Sequence, residues 1–286
     1  MYMKRLIMAV MATSMFFPIL AKGETNDNSG AETGTLDNWK GFSGVTPEDK
    51  HSGKNAFFIT IKEAGTVPAV STDLIPVNLE KPLKVSVWVK NTGKTACKIY
   101  AGVSAYDKDK KIIPPVAVNI VPETEAELIA ACSPEDKEIK LKNAPAWEKT
   151  WGTHVAFDID KTGKYGDIPN ANISPRITDV IKNNDGSVTV ILPAPVGRKW
   201  EAGTMVRMHQ GGASGIFCAA FNVIPDNEWK EYAGTISGLY KPGEYFAKDG
   251  MSKWWAGTSY VALTLMCDFP AEGGKIMVDD FTLTIE

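Results

Sequence analysis

Residues 83–90 read LKVSVWVK, and apolar side chains occupy every second position of this run. A period of two places alternate side chains on opposite faces, which predicts a β-strand with one face toward a core. Valine is β-branched and favours the extended conformation, so the residue types agree with the period. Trp88 alternates with Val87 and Val89 and therefore points to the opposite face of the predicted sheet from these valines. The stretch indicates a half-buried strand.

Strand-like runs of the same kind occupy much of the chain on both sides of this stretch. They are rich in β-branched and aromatic residues and are separated by Gly, Pro, Asn and Asp: residues 55–62, 97–106, 111–121, 187–192, 205–209, 215–223, 231–236, 260–269 and 275–285. Only residues 123–131 (ETEAELIAA) have helix propensity, and this run is too short to change the class. Many short strands separated by turns predict an all-β protein with a β-sandwich fold.

The amino-acid composition changes in the middle of the chain. Residues 133–212 are richer in Pro, Asn and Asp and contain Trp147, Trp151 and Trp200, after which strand-like runs resume. A sandwich needs neighbours for all its strands, so the last strands are expected to pair with the first ones. We therefore predict one discontinuous sandwich, residues 35–132 and 213–286, with a small inserted β-rich subdomain at residues 133–212.

The N-terminus has the pattern of an export signal. Lys4 and Arg5 precede an apolar run over residues 6–20, and Ala21 is a small residue suited to cleavage. A membrane anchor is the alternative, but this run is shorter than the roughly 20 residues that span a bilayer. We predict a signal peptide at residues 1–21, a linker at residues 22–34, and an exported protein that is periplasmic, at the cell surface or extracellular.

The net charge limits the kinds of partner that the protein can bind, and the cysteine content bears on whether disulfides form. The net charge is −3, with 31 Lys and Arg residues against 34 Asp and Glu residues, so no basic excess favours nucleic acid. Four cysteines are present, namely Cys97, Cys132, Cys218 and Cys267. An even number permits disulfides in an exported protein. Because three of them lie in apolar strand-like runs, reduced core thiols are the favoured interpretation.

Five local motifs lie outside the middle region: HSGKNA at residues 51–56, LKVSVWVK at 83–90, AYD at 105–107, EW at 228–229 and VDDFTL at 278–283. Their order and spacing resemble the carbohydrate-binding modules of the family 4/9/22 type, which are galactose-binding-like jelly rolls. The resemblance implies a jelly-roll β-sandwich that recognises a glycan or polysaccharide. The middle region has no counterpart in a plain module of this kind.

Aromatic side chains are the candidates for ligand binding, because an aromatic ring can stack on the apolar face of a sugar. Trp254 and Trp255 lie in a Gly-, Lys- and Ser-flanked stretch, and at least one should face outward if the segment is extended. The alternative is that the pair caps the core. Trp88 lies in the first quoted strand and either lines the binding face or packs in the core, and Tyr106 is a further candidate. Trp229 is assigned to the core.

The resemblance also implies a structural calcium ion that ties the chain ends together. Carried over to this chain, it points to Asp280 or Asp279, to the backbone carbonyl of Lys54, and to Glu48. Oxygen ligands of this kind suit calcium. The alternative is that one of the two adjacent aspartates faces solvent and the other caps a turn.

A second acidic loop begins at Asp158 and Asp160. Its opening matches the spacing of an EF-hand loop, but the twelfth position is Pro169 instead of glutamate. An Asp- and Gly-rich turn is the favoured interpretation.

Catalytic motifs are missing from the sequence. It contains no GxSxG elbow, HExxH helix or glycine-rich phosphate loop, and its three histidines are widely separated. Arg207 and His209 share one face of a predicted strand and are the only hint of a polysaccharide lyase. We therefore predict a non-catalytic, carbohydrate-binding exported protein, with a glycan-degrading enzyme as a further partner.

Three alternatives remain at this point. One is a β-sandwich lyase or glycosidase. The second is a structural or adhesion sandwich that binds another protein. The third is a sandwich that has kept the fold and lost sugar binding, since fold does not determine function.

Overall fold

The computed structural model describes residues 29–244 and 251–285, and its regular elements are almost all β-strands. The predicted signal peptide, residues 1–21, lies outside the described residues, as do residues 22–28 of the predicted linker. The strands form three antiparallel sheets. The all-β class is therefore confirmed. Across the two described ranges, no helix is long and apolar enough to cross a membrane.

Six strands form the first sheet of the sandwich. They are β1 (Trp39–Lys40), β4 (Gly65–Ser71), β5 (Ile75–Pro76), β7 (Lys98–Tyr106), β15 (Ile216–Val223) and β17 (Tyr260–Phe269). Their order is β1-β4-β17-β7-β15, and β5 also pairs with β17. Strands from both ends of the chain thus meet in one sheet, on either side of the middle region.

Five strands form the second sheet. They are β2 (Gly44–Thr46), β3 (Ala56–Thr60), β6 (Leu83–Asn91), β16 (Lys230–Ile236) and β18 (Lys275–Ile285), in the order β16-β6-β18-β3-β2. Successive strands alternate between the two sheets, from β3 to β4 and from β6 to β7, and again from β15 to β18. This wrapping is the jelly-roll arrangement that the sequence predicted.

The core of the sandwich follows from the period of two. In β6, Val85, Val87 and Val89 are fully buried, and they meet Ala101 and Val103 of β7 in one apolar cluster. Trp88 lies on the other face of β6 and is only half-buried. The strand predicted at residues 83–90 and its alternation are therefore confirmed.

Seven strands form the third sheet, which lies between the two parts of the sandwich in the sequence. They are β8 (Ala126–Leu128), β9 (Glu138–Lys142), β10 (Thr153–Phe157), β11 (Ile173–Arg176), β12 (Asp179–Lys182), β13 (Val188–Ile191) and β14 (Met205–Gln210). Their order is β11-β10-β14-β8-β9-β13-β12. The sheet begins at Ala126, before the predicted start of the insertion at residue 133.

The two edge strands of this sheet are consecutive in the chain. Only Ile177 and Thr178 separate β11 from β12; the N–H of Ile177 donates to Thr153 O in β10 at 2.7 Å, and that of Thr178 donates to Ile191 O in β13 at 2.9 Å. One bent segment therefore pairs with both ends of the sheet and closes it into a small barrel.

The barrel has a core of its own and is joined closely to the sandwich. Phe157, Val190 and Met208 are buried in a cluster separate from the sandwich core. At the junction, the Gln210 N–H donates to Asn119 O at 2.9 Å, and the side-chain amide of Asn119 donates to Gln210 O at 3.1 Å. The chain therefore enters and leaves the barrel at the same place.

Three segments differ from the sequence-based predictions. The strand predicted at residues 111–121 is replaced by a single 3-10 turn, Pro115–Ala117, because Pro114 and Pro115 have no N–H to donate to a sheet. Residues 123–131, which have helix propensity, contain strand β8. Residues 29–34, predicted as linker, are packed on the sandwich: Ala31 is fully buried, and Ser29 O accepts the N–H of Phe281.

Candidate functional site

A cleft of about 490 Å³ lies where the barrel meets the sandwich. Trp151 and Gln210 line it from the barrel, Phe221 lines it from strand β15, and Glu244 and Met251 line it from the segment that follows β16. Asn119 and Gln210, where the chain enters and leaves the barrel, both line it. The cleft exists because two separately packed units meet there.

Two of the aromatic side chains that line this cleft are exposed to solvent. Trp151 is 72% exposed and Phe221 is 43% exposed, although large aromatic side chains are usually buried. The backbone of Trp151 is fixed, because its carbonyl accepts the side-chain amide of Gln210 at 2.9 Å. The ring of Phe221 contacts Tyr100 edge-on, with centroids 5.5 Å apart. The cleft therefore offers two apolar ring surfaces, of which one is carried on a hydrogen-bonded backbone segment and the other is braced by a neighbouring ring.

Polar groups lie beside these rings. Asn119 and Gln210 line the cleft, and their mutual hydrogen bonds hold both segments in place. Glu244 lines it as well and accepts a hydrogen bond from Lys253 at 2.9 Å, which lowers the pKa of the Glu244 carboxyl. Amides and a carboxylate next to aromatic rings can bind a ligand that has both hydroxyl groups and an apolar face.

The outer face of the first sheet, which carries Tyr100 next to Phe221, is covered over its centre. Ser104, Ala262 and Thr264 point away from the core and are nevertheless buried. Ser214 lies across this face, because its hydroxyl contacts the sulfur of Met266 at 3.1 Å. A polymer therefore has no access to the middle of this face. Tyr100, at the end beside Phe221, is half-buried.

The prediction that Trp254 or Trp255 faces outward is wrong, since both are fully buried. The segment is paired with another stretch of the chain: the N–H of Trp254 donates to Gly238 O, and the Trp254 carbonyl accepts the N–H of Tyr240. Both indoles pack in the core cluster of the sandwich. A buried indole cannot stack on a polysaccharide, so the pair caps the core.

The other predicted ligand-binding residues lie apart from the cleft. Trp88 is on the outer face of the second sheet, where the imidazole of His51 stacks on it at 3.5 Å and covers one ring face. Tyr106 ends strand β7 beside Tyr260 and is half-buried, and burial raises its pKa. Trp229 is also half-buried and donates to Asp49 at 3.0 Å, so its assignment to the core is wrong.

Two of the predicted calcium ligands, Asp279 and Asp280, meet the turn at residues 51–54. Asp279 is fully buried; one carboxylate oxygen accepts the N–H groups of His51 and Ser52 at 2.9 and 3.1 Å, and burial raises its pKa. Asp280 accepts hydrogen bonds from His51 Nδ1 at 2.9 Å and from the Ser52 hydroxyl at 2.8 Å. The two aspartates thus join the last strand to this turn.

Glu32 belongs to the same junction, although it lies in the stretch predicted as a linker. Its two carboxylate oxygens each accept the N–H of Lys54 at 3.0 Å. Glu48 is exposed, and its neighbour Asp49 makes the nearby ion pair, with Lys90 at 3.1 Å. The structure therefore gathers Glu32, Asp279 and Asp280 but leaves Glu48 outside.

The chemistry of this junction suits calcium, since carboxylate oxygens are the ligands that the ion prefers. The backbone of Gly30 also approaches both aspartates, because a Cβ added there would lie 3.2 and 3.3 Å from their oxygens. In the part of the chain that the structure describes, no group of three or more His, Cys, Asp or Glu residues is arranged to hold a metal. Calcium binding therefore stays a prediction.

Arg207 and His209 converge, but in the interior. They are 1% and 0% exposed; the guanidinium of Arg207 pairs with Asp167 at 2.8 Å and donates to His209 Nε2. His209 Nδ1 is held by Val116 O at 2.7 Å, and burial lowers the pKa of His209 to about 4. Neither residue lines the cleft described above. A polymeric substrate cannot reach them, so the pair is a structural link between barrel and sandwich.

The acidic loop after β10 is a network of turns. The carboxylate of Asp160 accepts the N–H groups of Thr162 and Gly166 at 2.8 and 3.0 Å, and these hydrogen bonds lower its pKa to about 2. Its oxygens are already used within the loop. The contacts agree with the turn interpretation.

No protein-family model matches the sequence, and no curated protein sequence is similar to it. Among solved structures, it is similar to the CBM22-1 xylan-binding domain of Paenibacillus barcinonensis Xyn10C, at 12% identity over 92% of this chain and 95% of that one, with a TM-score of 0.36. It is also similar to a Family 16 Carbohydrate Binding Module-2, at 10% identity over 90% and 96% of the chains, with a TM-score of 0.36.

A further similar structure is the enzymatically active domain of bacteriophage CBA120 tailspike protein 4, at 9% identity over 91% of this chain, with a TM-score of 0.39. This chain spans 21% of the tailspike structure's length. Identities and TM-scores this low assign neither an activity nor a ligand to the present chain.

Proposed function

We propose that this protein is an exported, non-catalytic glycan-binding protein that holds a polysaccharide in the cleft between barrel and sandwich. One observation carries the proposal. Trp151 and Phe221, contributed by two different structural units, are both exposed to solvent at the same cleft. Two such rings on one cleft expose apolar surface that a ligand can cover.

A sugar ring matches this surface in its chemistry. Its C–H face is apolar and can lie on an indole or phenyl ring, while its hydroxyl groups need hydrogen-bond partners around the rim. The side-chain carbonyl of Gln210, whose amide nitrogen donates to Trp151 O, and the carboxylate of Glu244 supply such partners. The closed centre of the first sheet supports this location, since the cleft is where aromatic surface stays open.

The test is a polysaccharide array probed with the mature protein in the presence of calcium, followed by titration of any ligand found. We expect the Trp151→Ala/Phe221→Ala double variant to lose binding while its circular dichroism and melting temperature stay unchanged. Ile129→Ala is the matched control, because this residue is 44% exposed on the barrel and does not line the cleft. Retained binding in the double variant would refute the cleft as the binding site.

Absence of binding to any polysaccharide on the array would contradict glycan binding itself. That result would favour a structural sandwich, or one that has lost sugar binding. The proposal also includes export, calcium as a structural ion at the Asp280 junction, and a glycan-degrading enzyme as a partner. Export is tested by N-terminal sequencing of the secreted protein, which should start after Ala21.

A further inference from the structure

We propose that the barrel carries a second, independent binding site, and that its ligand is a sugar bearing a carboxylate. The site is a groove of about 260 Å³ on the barrel. Residues 171–173, which lead into β11, form one side, and residues 196–198 together with Trp200 form the other. None of its lining residues lines the cleft of the proposed function. The inference therefore does not depend on that function.

The first element of this site is an aromatic platform. The ring of Trp200 stacks on that of Phe157 with centroids 4.9 Å apart and planes 3° from parallel. Phe157 is 1% exposed and belongs to the barrel core, so it supports the indole from beneath. Trp200 itself is half-buried, and its backbone exchanges two hydrogen bonds with Cys132, at 2.8 and 3.0 Å. The indole is thus held in place, as a stacking surface has to be.

The second element is a guanidinium that pairs with no carboxylate among the residues that the structure describes. Arg198 donates from Nη1 to Asn172 Oδ1 at 2.6 Å, which orients the group beside the platform. Within residues 29–244 and 251–285 it forms no ion pair, whereas Arg207 pairs with Asp167. The neighbouring Lys199 is paired with Glu201 at 2.7 Å, so that carboxylate is occupied. An oriented guanidinium with unused N–H donors can bind a carboxylate in a bidentate manner.

The backbone around Arg198 is fixed although the residue is exposed. Gly197 has a φ of +81°, and its N–H donates to Pro134 O at 2.8 Å, while the N–H of Val196 donates to Asp136 O at 2.9 Å. On the opposite side, the N–H of Asn172 donates to Asn170 Oδ1 at 2.7 Å. Both walls of the groove are therefore anchored before a ligand arrives, which lowers the entropic cost of binding.

Size and chemistry together indicate the ligand. A groove of about 260 Å³ is smaller than the roughly 300–1,000 Å³ of sites for drug-sized ligands, so it suits one monosaccharide unit. The C–H face of that unit would lie on Trp200 and its carboxylate would meet Arg198. A uronic acid residue, free or within an acidic polysaccharide, has both features.

The experiment is a calorimetric or NMR titration of the full mature protein with an oligogalacturonate and with its methyl ester, which is uncharged. We expect the acid to bind and the ester to bind at least about tenfold more weakly, since the charge-assisted hydrogen bonds are lost. Binding of the acid should weaken as salt concentration rises. Equal binding of acid and ester, or no binding of the acid, overturns the proposal.

Substitutions locate the site. Arg198→Gln should weaken binding of the acid about tenfold, whereas Lys199→Gln, which removes the same charge from the next residue, should change it less than about twofold. Equal effects of the two variants would show a diffuse charge attraction and refute the site. Trp200→Leu should also abolish binding, and a thermal melt shows whether that variant is folded. Trp151→Ala should leave this binding unchanged, which separates the result from that of the main cleft.

Discussion

Two tryptophan-bearing loops with similar local sequences lie in opposite environments. Residues 251–258 (MSKWWAGT) and residues 148–153 (EKTWGT) both place tryptophan after Lys, Ser or Thr and close to a glycine. Trp254 and Trp255 are fully buried, whereas Trp151 is 72% exposed. The neighbouring residues in the sequence therefore do not decide the exposure of these rings.

The difference lies in what each backbone is attached to. Trp254 pairs with residues 238–240, which brings both indoles against the sandwich core. The Trp151 carbonyl is held by Gln210 at the barrel end, beside an open cleft. Hydrogen-bond partners that are distant in sequence thus turn one loop into a core cap and leave the other on the wall of an open cleft.

Replacing the buried pair tests the first half of this comparison. Trp255→Ala should lower the free energy of unfolding by about 3–5 kcal/mol, because it leaves a large cavity in the sandwich core. Urea denaturation followed by circular dichroism measures the change. A loss below about 1 kcal/mol would contradict the core-capping role.

Lowering the pH tests the buried link that His209 makes between barrel and sandwich. The pKa of His209 is about 4 in the folded protein and about 6.5 in the unfolded chain. Between these values the unfolded chain binds the proton and the folded protein does not, so stability is lost as the pH falls from 6.5 to 4. The loss from this group should reach roughly 3 kcal/mol and then level off.

Denaturation curves across this pH range measure that loss. His209→Asn is the control, since asparagine cannot titrate. The loss of unfolding free energy that His209 causes between pH 6.5 and pH 4 should be missing from a plot of stability against pH for this variant. Parallel curves for the two proteins would show that His209 is not the group responsible.

The turn at residues 51–54 is a third turn held by contacts with distant segments, and adding calcium tests whether an ion strengthens those contacts. If Glu32 and Asp280 bind the ion, a hundredfold excess of calcium over its Kd should stabilise the fold by about 2.7 kcal/mol, and EDTA should reverse the effect. Asp280→Asn should abolish the calcium-dependent shift in Tm, whereas Glu48→Gln should keep it. No shift in the original protein would remove calcium from the description.

Replacing the exposed ring tests the second half of the comparison and should have the smallest effect on stability. Trp151→Ala is expected to change the free energy of unfolding by less than about 0.5 kcal/mol, because the ring is mostly in solvent. The same urea experiment used for Trp255→Ala measures it. A large loss would show that the indole packs more tightly than its exposure indicates.

The sequence predicted the structure correctly where a strand has one buried face. The alternation in residues 83–90 predicted both strand β6 and the direction of Trp88, since the period of two is a local property. It was insufficient where a contact joins distant segments. The closure of the barrel by residues 177 and 178 and the burial of Trp254 depend on such contacts.

The dependence on contacts between distant segments also explains why the candidate site was not predicted from the sequence. Phe221 lies in a run that was predicted as a strand, but its exposure depends on where the barrel ends, which no local pattern encodes. Glu32 was missed because its stretch is rich in polar residues and resembles a linker. Its role follows only from the N–H groups of Lys54 and Asn55, which it meets through the fold.

The paired ends of the barrel at Asn119 and Gln210 have a consequence for how such a molecule can change over evolutionary time. Because the chain returns to the point from which it left, a gene segment encoding a different barrel could be exchanged there without disturbing the order of the sandwich strands. Each exchange would replace one wall of the cleft and keep the other. Ancestors and descendants of this protein could thus share one jelly roll and differ in what they recognise.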